Sequence, residues 1–345
     1  MTTIASLRDF EALARARLGP AAYAYYAGGS WDEVTLRDNE AAFARRRLLP
    51  RVLVDVTGID PSTTILGQAV ALPVGFAPAA LQGLAHGDGE VIAARVAARS
   101  GWLYCLSTLS NRALEEVAAV GRGPRWFQLY VQKDRGRSRE MVERARAAGY
   151  QAIVLTVDAP QAGYRERELR DPVPSGGSLP NIGSGQAHRG PIGDLLDGSL
   201  TWADLDWLRG LSDLPLVIKG ILDPADALRA VDHGADGIVV SNHGGRQLDR
   251  APASIDALEP IVDAVAGRAE VYLDSGVRRG TDIVTAIALG ARAVFIGRPY
   301  LYALAAGGEA GVARCVEILE AELRIAMQLL GAPTIAGLTR DRVVG

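Results

Sequence analysis

A short polar segment that directly follows an apolar run carries the residue types of an acid–base site. Residues 241–247 read Ser-Asn-His-Gly-Gly-Arg-Gln and follow the β-branched run Gly237–Val240, which is typical of a buried strand. His243 titrates near neutral pH and can accept a proton, whereas Arg246 stays charged and can bind a carboxylate through two parallel hydrogen bonds. The pattern therefore indicates deprotonation of a substrate whose carboxylate is bound. A turn with a buried histidine and a surface arginine is the alternative.

Composition describes an ordinary globular protein and argues against several functional classes. The chain has 345 residues, of which 48% are hydrophobic and 22% charged, and its net charge is −3. Its arginines are scattered, so no basic face favours nucleic acid. The two cysteines, Cys105 and Cys315, form no metal or redox motif, which favours a reducing cytoplasm and predicts no metal site. Charged residues interrupt Met1–Leu18 and no apolar run could span a bilayer, so we expect a soluble cytoplasmic protein without a membrane partner.

From residue 71 onward, short apolar runs alternate with helix-like stretches. Runs that are apolar along their whole length are typical of a parallel sheet covered on both faces. Eight of them in succession favour an α/β fold of the (β/α)8 TIM-barrel type, and an open doubly wound sheet is the alternative. Helix N-caps are predicted at Asp223, Ser254 and Thr281. The predicted strands are Ala71–Pro78, Trp102–Ser107, Arg125–Val131, Ala152–Asp158, Leu214–Gly220, Gly237–Asn242, Glu270–Gly276 and Ala293–Pro299.

Two parts of the chain do not follow this alternation. Residues 1–70 precede the first strand and are predicted to form an N-terminal helical cap at the bottom of the barrel. Residues 159–200 form a long insertion after the fourth strand and are rich in Gly, Pro and Ser. A long loop at the carboxyl end of a barrel strand is typical of a lid over an active site. We therefore expect one barrel domain over residues 1–345, with a bottom cap and a mobile lid.

Polar residues collect where the eight predicted strands end, and in a barrel these ends share one mouth. Strands end in polar residues in order to reach solvent, but that requirement does not explain Gln128, Lys219 and His243. Glycine and arginine follow the last two strands, in Gly276-Val277-Arg278 and Gly297-Arg298. This combination beside a helix N-terminus favours a phosphate site, with two ordinary glycine turns as the alternative.

Seven motifs that occur in order carry a specific family resemblance. They are Tyr25-Tyr26-Ala27-Gly28-Gly29, Phe127-Gln128-Leu129-Tyr130, Leu155-Thr156-Val157-Asp158, Val217-Ile218-Lys219-Gly220, Ser241 to Asp249, Gly276 to Asp282, and Ile296-Gly297-Arg298-Pro299. From about residue 7 to residue 340 the chain resembles the FMN-dependent 2-hydroxy acid oxidases and dehydrogenases, which oxidise glycolate, lactate or mandelate. The resemblance implies oxidation of an (S)-2-hydroxy acid to the 2-oxo acid, with FMN as cofactor.

The resemblance implies roles for the charged residues around the substrate. His243 is expected to be the catalytic base, and Asp158 the carboxylate that stabilises its charged form. A cap for the following loop is the alternative for Asp158. Arg246 and Arg165 are expected to bind the substrate carboxylate together, with Arg165 contributed by the lid.

Four further residues are expected to shape the substrate pocket. Tyr25 and Tyr130 resemble the phenols that hydrogen-bond the substrate carboxylate and hydroxyl, with a half-buried aromatic as the alternative for each. Where glycolate oxidases carry a tryptophan over the substrate this chain has Leu109, and where they carry a threonine beside the flavin it has Ala79. Both changes remove volume, so we expect a substrate larger than glycolate, either mandelate-like or a longer aliphatic acid.

A second set of residues resembles the FMN site of the family. Lys219 is implied to lie beside the N1–C2 edge of the flavin, where reduction places negative charge. The alternative is a Schiff-base lysine of a cofactor-free barrel aldolase or isomerase that acts on sugar phosphates. Ser275 stands where the family has a glycine. The other residues expected to hold the ring, the ribityl chain or the phosphate are Pro78, Ala79, Ala80, Ser107, Gln128, Tyr130, Thr156, Ser241, Asp274, Gly276, Val277, Arg278, Gly297 and Arg298.

The electron acceptor and the assembly are expectations of the resemblance. The chain shows no added haem domain and no membrane segment, which favours dioxygen as acceptor and hydrogen peroxide as product. A soluble dehydrogenase with another acceptor is the alternative. We expect a homotetramer or an octamer.

Overall fold

Eight parallel strands form a closed barrel in the computed structural model, which describes residues 3–173, 176–182 and 196–345. The strands pair in chain order, and the eighth pairs with the first. They are β1 (Val74–Phe76), β2 (Leu103–Ser107), β3 (Arg125–Leu129), β4 (Ile153–Thr156), β5 (Leu216–Ile221), β6 (Gly237–Val240), β7 (Glu270–Leu273) and β8 (Ala293–Ile296). Each lies within its predicted range, except that β5 extends one residue further. The predicted (β/α)8 barrel is confirmed.

Helices surround the barrel and cover the outer face of its strands. This explains why strands such as β2 are buried at every position and why apolar and polar residues do not alternate along their sequences. The helices of the described residues are α1 (Leu7–Arg17), α2 (Pro20–Ala27), α3 (Val34–Arg45), α4 (Gly89–Ser100), α5 (Leu114–Ala118), α6 (Arg135–Ala147), α7 (Glu166–Arg170), α8 (Ala203–Arg209), α9 (Pro224–Asp232), α10 (Ser254–Val265), α11 (Gly280–Ala288) and α12 (Arg298–Leu330). Within the described ranges, none of them combines the length and the hydropathy needed to cross a bilayer.

One of the three predicted helix caps is confirmed. Asp223 accepts a hydrogen bond from the backbone N–H two residues further on (2.7 Å), at the start of α9. Ser254 and Thr281 lie inside the first turns of α10 and α11 rather than before them, so these two predictions are wrong. The start of α11 is stabilised instead by Asp282, which accepts from the two backbone N–H groups that precede the helix, because a carboxylate at the third helical position can reach back to them.

A β-hairpin closes the bottom of the barrel, where the strands begin. Its strands, Thr63–Ile65 and Gln68–Val70, pair antiparallel, and Leu66 at the turn packs against the barrel interior. The backbone N–H of Leu66 donates to Glu270 at the start of β7 (3.0 Å). Arg292, just before β8, donates to a carbonyl oxygen of the hairpin (2.7 Å).

Helices α2 and α3 lie at the other end of the barrel, at its mouth, while α1 packs along α12. Tyr26 of α2 donates to the carbonyl oxygen of Leu81, after β1, at 2.6 Å. Asn39 of α3 exchanges two side-chain hydrogen bonds with Asn242, after β6, at 2.9 and 2.6 Å. The prediction that the helices of residues 1–70 cap the bottom is therefore wrong, since the hairpin closes that end and α2 and α3 help to form the mouth.

The insertion after β4 is less irregular than its composition indicates. It contains the short helix α7, and Leu196 pairs with Gln132 across an isolated β-bridge. Residues 174–175 and 183–195 of the predicted lid lie outside the described residues. A closing movement of this segment stays a prediction.

Three aromatic rings fill part of the barrel interior, and two glycines make room for them. The ring of Tyr272 lies 5.4 Å from that of Trp126 and 5.9 Å from that of Phe295, between centroids. A Cβ atom on Gly237 would lie 2.8 Å from a ring carbon of Tyr272, and one on Gly75 would lie 2.9 Å from Phe295. Because interiors are close-packed, even one methyl group at these positions forces its neighbours to move.

The substitution Gly237→Ala is therefore expected to destabilise the protein by about 1–3 kcal/mol, since it overpacks the barrel interior. Urea unfolding of the holoprotein, followed by circular dichroism, measures the change. The matched control is Gly58→Ala, because a Cβ at Gly58 meets no atom within 4 Å. Equal stability of the two variants would contradict the packing argument.

Candidate active site

The carboxyl ends of all eight strands, together with α2, enclose a cavity of about 370 Å³ at the barrel mouth. The predicted site residues that line it are Tyr25, Pro78, Ala79, Ala80, Ser107, Leu109, Tyr130, Arg165, Lys219, His243, Arg246, Asp274, Ser275, Gly276, Val277, Arg278, Gly297 and Arg298. The remaining four, Gln128, Thr156, Asp158 and Ser241, lie behind this lining and are connected to it by hydrogen bonds, Thr156 through Gln128. The structure thus brings every predicted site residue to one place.

His243 connects a buried carboxylate to the cavity. Its Nδ1 lies 2.8 Å from Oδ1 of Asp158, and its Nε2 lies 3.4 Å from the hydroxyl oxygen of Tyr130. An ionised carboxylate can only accept, so we assign the ring proton to Nδ1, which leaves the lone pair of Nε2 on the side of Tyr130. This arrangement can remove a proton from a ligand in the cavity, and Asp158 can stabilise the imidazolium that forms.

The electrostatic surroundings keep this pair in the state that a general base needs. Burial lowers the pKa of His243 below its ordinary value of 6.5; Asp158 opposes this shift, and the charge of Lys219 adds to it. Burial alone would raise the pKa of Asp158, but the charges of His243 and Lys219 outweigh it, so the pKa of Asp158 is lowered. At neutral pH the pair is therefore a neutral imidazole hydrogen-bonded to a carboxylate.

The backbone that carries His243 adopts a strained turn after β6. His243, Gly244 and Gly245 have φ angles of 59°, 67° and 72°, a region that costs a residue with a Cβ about 1–2 kcal/mol. The hydroxyl of Ser241 accepts from the N–H of His243 (3.0 Å), and Asn242 Oδ1 accepts from the N–H of Gly245 (3.1 Å). These bonds, and the amide pair that joins Asn242 to α3, hold the imidazole in position.

Lys219 is a buried cation with two oxygen partners. Its Nζ lies 2.9 Å from Oγ of Ser241 and 3.2 Å from Oδ2 of Asp274. Burial acts to lower the pKa of Lys219, but the charges of Asp274 and Asp158 outweigh it and raise the pKa. A Schiff-base lysine must lose its proton before it can react, so this environment disfavours the aldolase alternative. It suits a fixed positive charge.

A buried amide crosses the barrel mouth between β2 and β4. Gln128 of β3 accepts at Oε1 from the hydroxyl of Ser107 (3.2 Å), and its Nε2 donates to Oγ1 of Thr156 (3.0 Å). All three side chains are buried. They form a polar floor whose donors and acceptors are fixed in orientation.

Arg165 and Arg246 bring two guanidinium groups to one wall of the cavity. Arg246 Nη1 donates to the carbonyl oxygens of Tyr25 and Gly28, and its guanidinium carbon lies 4.9 Å from the centre of the Tyr25 ring. Arg165 Nε donates to the carbonyl oxygen of Arg246 at 3.0 Å. Glu168 of α7 pairs with both, at 3.0 Å from Arg246 and 3.5 Å from Arg165. Two fixed guanidinium groups are well suited to bind a carboxylate.

Gln247 uses its whole side-chain amide to hold the segment after β4. Its Nε2 donates to two carbonyl oxygens that follow β4 (2.7 and 2.9 Å). Its Oε1 accepts from the N–H of Gly163 (3.2 Å) and from Nη2 of Arg165 (2.9 Å). Since Gln247 directly follows Arg246, it fixes the two arginines relative to each other.

Arg278 and Arg298 lie beside the first residues of α11 and α12. Arg298 donates to three backbone carbonyl oxygens at 2.8–2.9 Å, and burial lowers its pKa to about 10, so it stays charged at neutral pH. Arg278 pairs with Glu40 of α3 at 3.0 Å. Positive side chains beside a helix N-terminus are typical of a phosphate site.

These groups fit flavin mononucleotide, which consists of a polar heterocycle, a ribityl chain and a phosphate. Lys219 and the Gln128 floor could hold the heterocycle, and the arginines at α11 and α12 could hold the phosphate. Glycines line the cavity between them. A Cβ on Gly276 (φ 94°) would lie 2.1 Å from the carbonyl oxygen of Asn39, whereas a Cβ on Gly297 would have no neighbour closer than 3.9 Å. Glycine at 276 therefore lets α3 pack closely against the turn, and glycine at 297 leaves open space where a side chain would otherwise stand.

Three residues of this site were not predicted from the sequence. Asn39 pairs with Asn242 from a helix that was expected at the opposite end of the barrel. Gln247 belongs to the motif Ser241 to Asp249 and directly follows Arg246, and this position is the one sequence signal that could identify it. Glu168 lies three residues after Arg165, which places it one turn further on, but only the fold shows that it also reaches Arg246.

Comparisons with known proteins agree with this geometry. The sequence model of the family described as FMN-dependent dehydrogenase matches residues 14–345. L-lactate oxidase from Nostoc sp. is 51% identical, over 96% of each chain, and glycolate oxidase from Spinacia oleracea is 43% identical, over 99% of this chain and 95% of that protein. A crystal structure of mandelate oxidase with (S)-2-phenylpropionate is 44% identical and superposes with a TM-score of 0.92, covering 99% of this chain and 98% of that one. The chain therefore belongs to the FMN-dependent dehydrogenase family and is an FMN-dependent oxidoreductase.

Proposed function

We propose that this enzyme oxidises an (S)-2-hydroxy acid to the corresponding 2-oxo acid. The observation that carries the proposal is the position of the His243–Asp158 pair, which shares one cavity with the guanidinium groups of Arg165 and Arg246. A base and a carboxylate site in the same cavity match the two reacting parts of a 2-hydroxy acid, its alcohol and its neighbouring carboxylate. The names of the relatives support the same class of substrate.

In this proposal the arginines fix the substrate and the imidazole moves the proton. Oxidation removes two electrons and two protons from the C2 alcohol. Arg165 and Arg246 bind the carboxylate, and Nε2 of His243 takes one of the protons, while Asp158 stabilises the charge that forms on the ring. FMN, when bound, supplies the acceptor for the two electrons and for the other proton. Lys219 contributes a fixed positive charge, and its ion pair with Asp274 keeps it in place.

Dioxygen is the proposed final acceptor, with hydrogen peroxide as product. The oxidase names of the lactate, glycolate and mandelate relatives support this choice. A soluble dehydrogenase that passes the electrons to another acceptor is the alternative.

The proposed substrate has an apolar side chain larger than that of glycolate. Leu109 lines the cavity and belongs to a buried apolar cluster with Leu81, Leu179 and Ile182. Ala79 adds a second small apolar group to the lining. This wall suits a mandelate-like or longer aliphatic side chain. In the series of 2-hydroxy acids with an apolar side chain, L-lactate has the smallest, a methyl group.

The expected homotetramer or octamer stays a prediction. Val52, Leu53 and Leu329 are exposed, but individual exposed apolar residues are normal in monomers and do not decide the size of an assembly. Sedimentation of the holoenzyme measures its size.

The proposed reaction predicts that anaerobic mixing with L-lactate, (S)-mandelate or (S)-2-hydroxyoctanoate bleaches the flavin, and that air restores its colour with one hydrogen peroxide per 2-oxo acid. In His243→Gln the flavin stays bound but bleaching slows by about 10²–10⁴-fold, because the base is lost. His233→Gln is the matched control, since His233 forms a second His–Asp pair with Asp206 (3.2 Å) outside the cavity. The proposal would be overturned if no hydroxy acid bleached the flavin of the wild-type enzyme. If the flavin colour returned only with an acceptor other than oxygen, the enzyme would be a dehydrogenase.

The pH dependence of the reaction follows from the environment of His243. The base works only when it is unprotonated, so kcat/KM should fall as the pH drops through the pKa of His243. Because burial lowers this pKa, the acid limb is expected below the ordinary value of 6.5. Stopped-flow bleaching across pH locates the limb, and a midpoint above 6.5 would mean that another group controls the step.

The substitution Leu109→Trp is expected to weaken the preference for substrates with large side chains. The indole removes volume next to the apolar cluster, so kcat/KM for mandelate relative to glycolate should fall about tenfold or more. Steady-state kinetics with both acids measures the ratio. Leu248→Trp is the control, because Leu248 is exposed and does not line the cavity. An unchanged ratio in Leu109→Trp, or a wild-type enzyme that strongly prefers glycolate, would contradict the proposed pocket.

A further inference from the structure

A resident carboxylate already pairs with Arg165 and Arg246, the two arginines proposed to bind the substrate. Oε1 of Glu168 lies 3.0 Å from Nη2 of Arg246 and 3.5 Å from Nη1 of Arg165. The three side chains are 23%, 14% and 17% exposed, and all three line the cavity. One carboxylate oxygen therefore meets a terminal nitrogen of each guanidinium, as a bound substrate carboxylate would.

The charges of this cluster explain why a carboxylate is present. Two guanidinium groups removed from water destabilise each other unless a negative charge is close. Burial and the charge of Arg246 lower the pKa of Arg165, and Glu168 opposes both effects. With Glu168 the group carries one net positive charge, and a bound substrate carboxylate makes it neutral. Without Glu168 the same arginines would offer two unopposed positive charges to the substrate.

The orientation of the arginines does not depend on Glu168. Arg246 is held by the carbonyl oxygens of Tyr25 and Gly28 and by the ring of Tyr25. Arg165 is held by the carbonyl oxygen of Arg246 and by Gln247. Removal of the Glu168 charge therefore leaves both guanidinium groups in place and frees hydrogen-bonding capacity for a ligand.

We infer that Glu168 is a built-in competitor of the substrate carboxylate for Arg246 and Arg165, and that it sets the affinity for substrate and product rather than the rate of the chemical step. The inference rests on the proposed function, because it assumes that a carboxylate binds this arginine pair. An incoming carboxylate must share or replace the hydrogen bond from Arg246 to Glu168. The competition weakens binding of the 2-hydroxy acid and equally of the 2-oxo acid, whose carboxylate is the same, and so favours product release.

The test compares Glu168→Gln with the wild-type holoenzyme, using phenylacetate as probe. Phenylacetate carries a carboxylate but no 2-hydroxyl group, so it binds without being oxidised. Titration calorimetry is expected to give a Kd for Glu168→Gln about tenfold lower than for the wild type, equivalent to ~1.4 kcal/mol. The maximal rate of anaerobic bleaching by mandelate is expected to stay within about threefold, because the neutral amide leaves the His243 base untouched.

Two further variants separate competition from a structural role. Glu168→Asp keeps the charge and is expected to bind phenylacetate with nearly the wild-type Kd. Glu166→Gln is the matched control on the same helix, because Glu166 pairs with the exposed Arg170 and does not line the cavity. Flavin content and circular dichroism verify that each variant is folded.

An unchanged or weaker Kd in a folded, flavin-loaded Glu168→Gln variant would overturn the inference. A fall in both affinity and bleaching rate would overturn it as well, since that result identifies Glu168 as a support for the arginines. A wild-type enzyme that binds phenylacetate but is bleached by no hydroxy acid would instead overturn the proposed function.

Discussion

The hydrogen bond between His243 and Asp158 is the interaction on which the site depends, and the barrel has to be built around it. Asp158 follows β4 and His243 follows β6, so the bond passes over the end of β5. Gly220 of β5 makes this possible, because a Cβ there would lie 2.6 Å from the Cβ of Asp158. Gly220 has a φ of 111° and the pairing of β5 with β6 shifts register beside it. The irregularity in β5 thus brings base and carboxylate together.

Lys219 and the pair Arg165 and Arg246 each have a carboxylate partner, and this pairing separates the roles of the charges. Lys219 pairs with Asp274, and the arginine wall pairs with Glu168, so neither takes Asp158 away from His243. An unpaired cation in this cavity would lower the pKa of the imidazole further and would leave it a weaker base. The cost of removing two charges from water offsets much of the attraction within a buried ion pair. These pairs are therefore better explained by function than by stability.

The sequence predicts the barrel well because the information for each strand is local. Eight continuous apolar runs identify the eight strands, with predicted ends that differ from the observed ones by up to three residues, and the residues at these ends converge as the fold requires. The position of α2 and α3 was predicted wrongly because it is set by contacts such as that between Asn39 and Asn242, which are 203 residues apart. Ser254 was a wrong cap because a serine before an apolar run can equally be the first residue inside the helix. Glu168 and Gln247 act through contacts between loops, which leave no periodic pattern.

Ser275 shows how a residue that departs from the family can extend the same network. It has a φ of 73°, in the left-handed region that favours glycine, and this conformation costs a serine about 1–2 kcal/mol. Its hydroxyl donates to Oδ1 of Asp274 (2.8 Å) and accepts from the N–H of Gly244 (2.9 Å). Two partly buried hydrogen bonds, each contributing about 1 kcal/mol, offset the strain. Ser275 therefore links the carboxylate that pairs with Lys219 to the turn that carries His243, so the cation beside the proposed flavin site and the base are positioned by one connected set of hydrogen bonds.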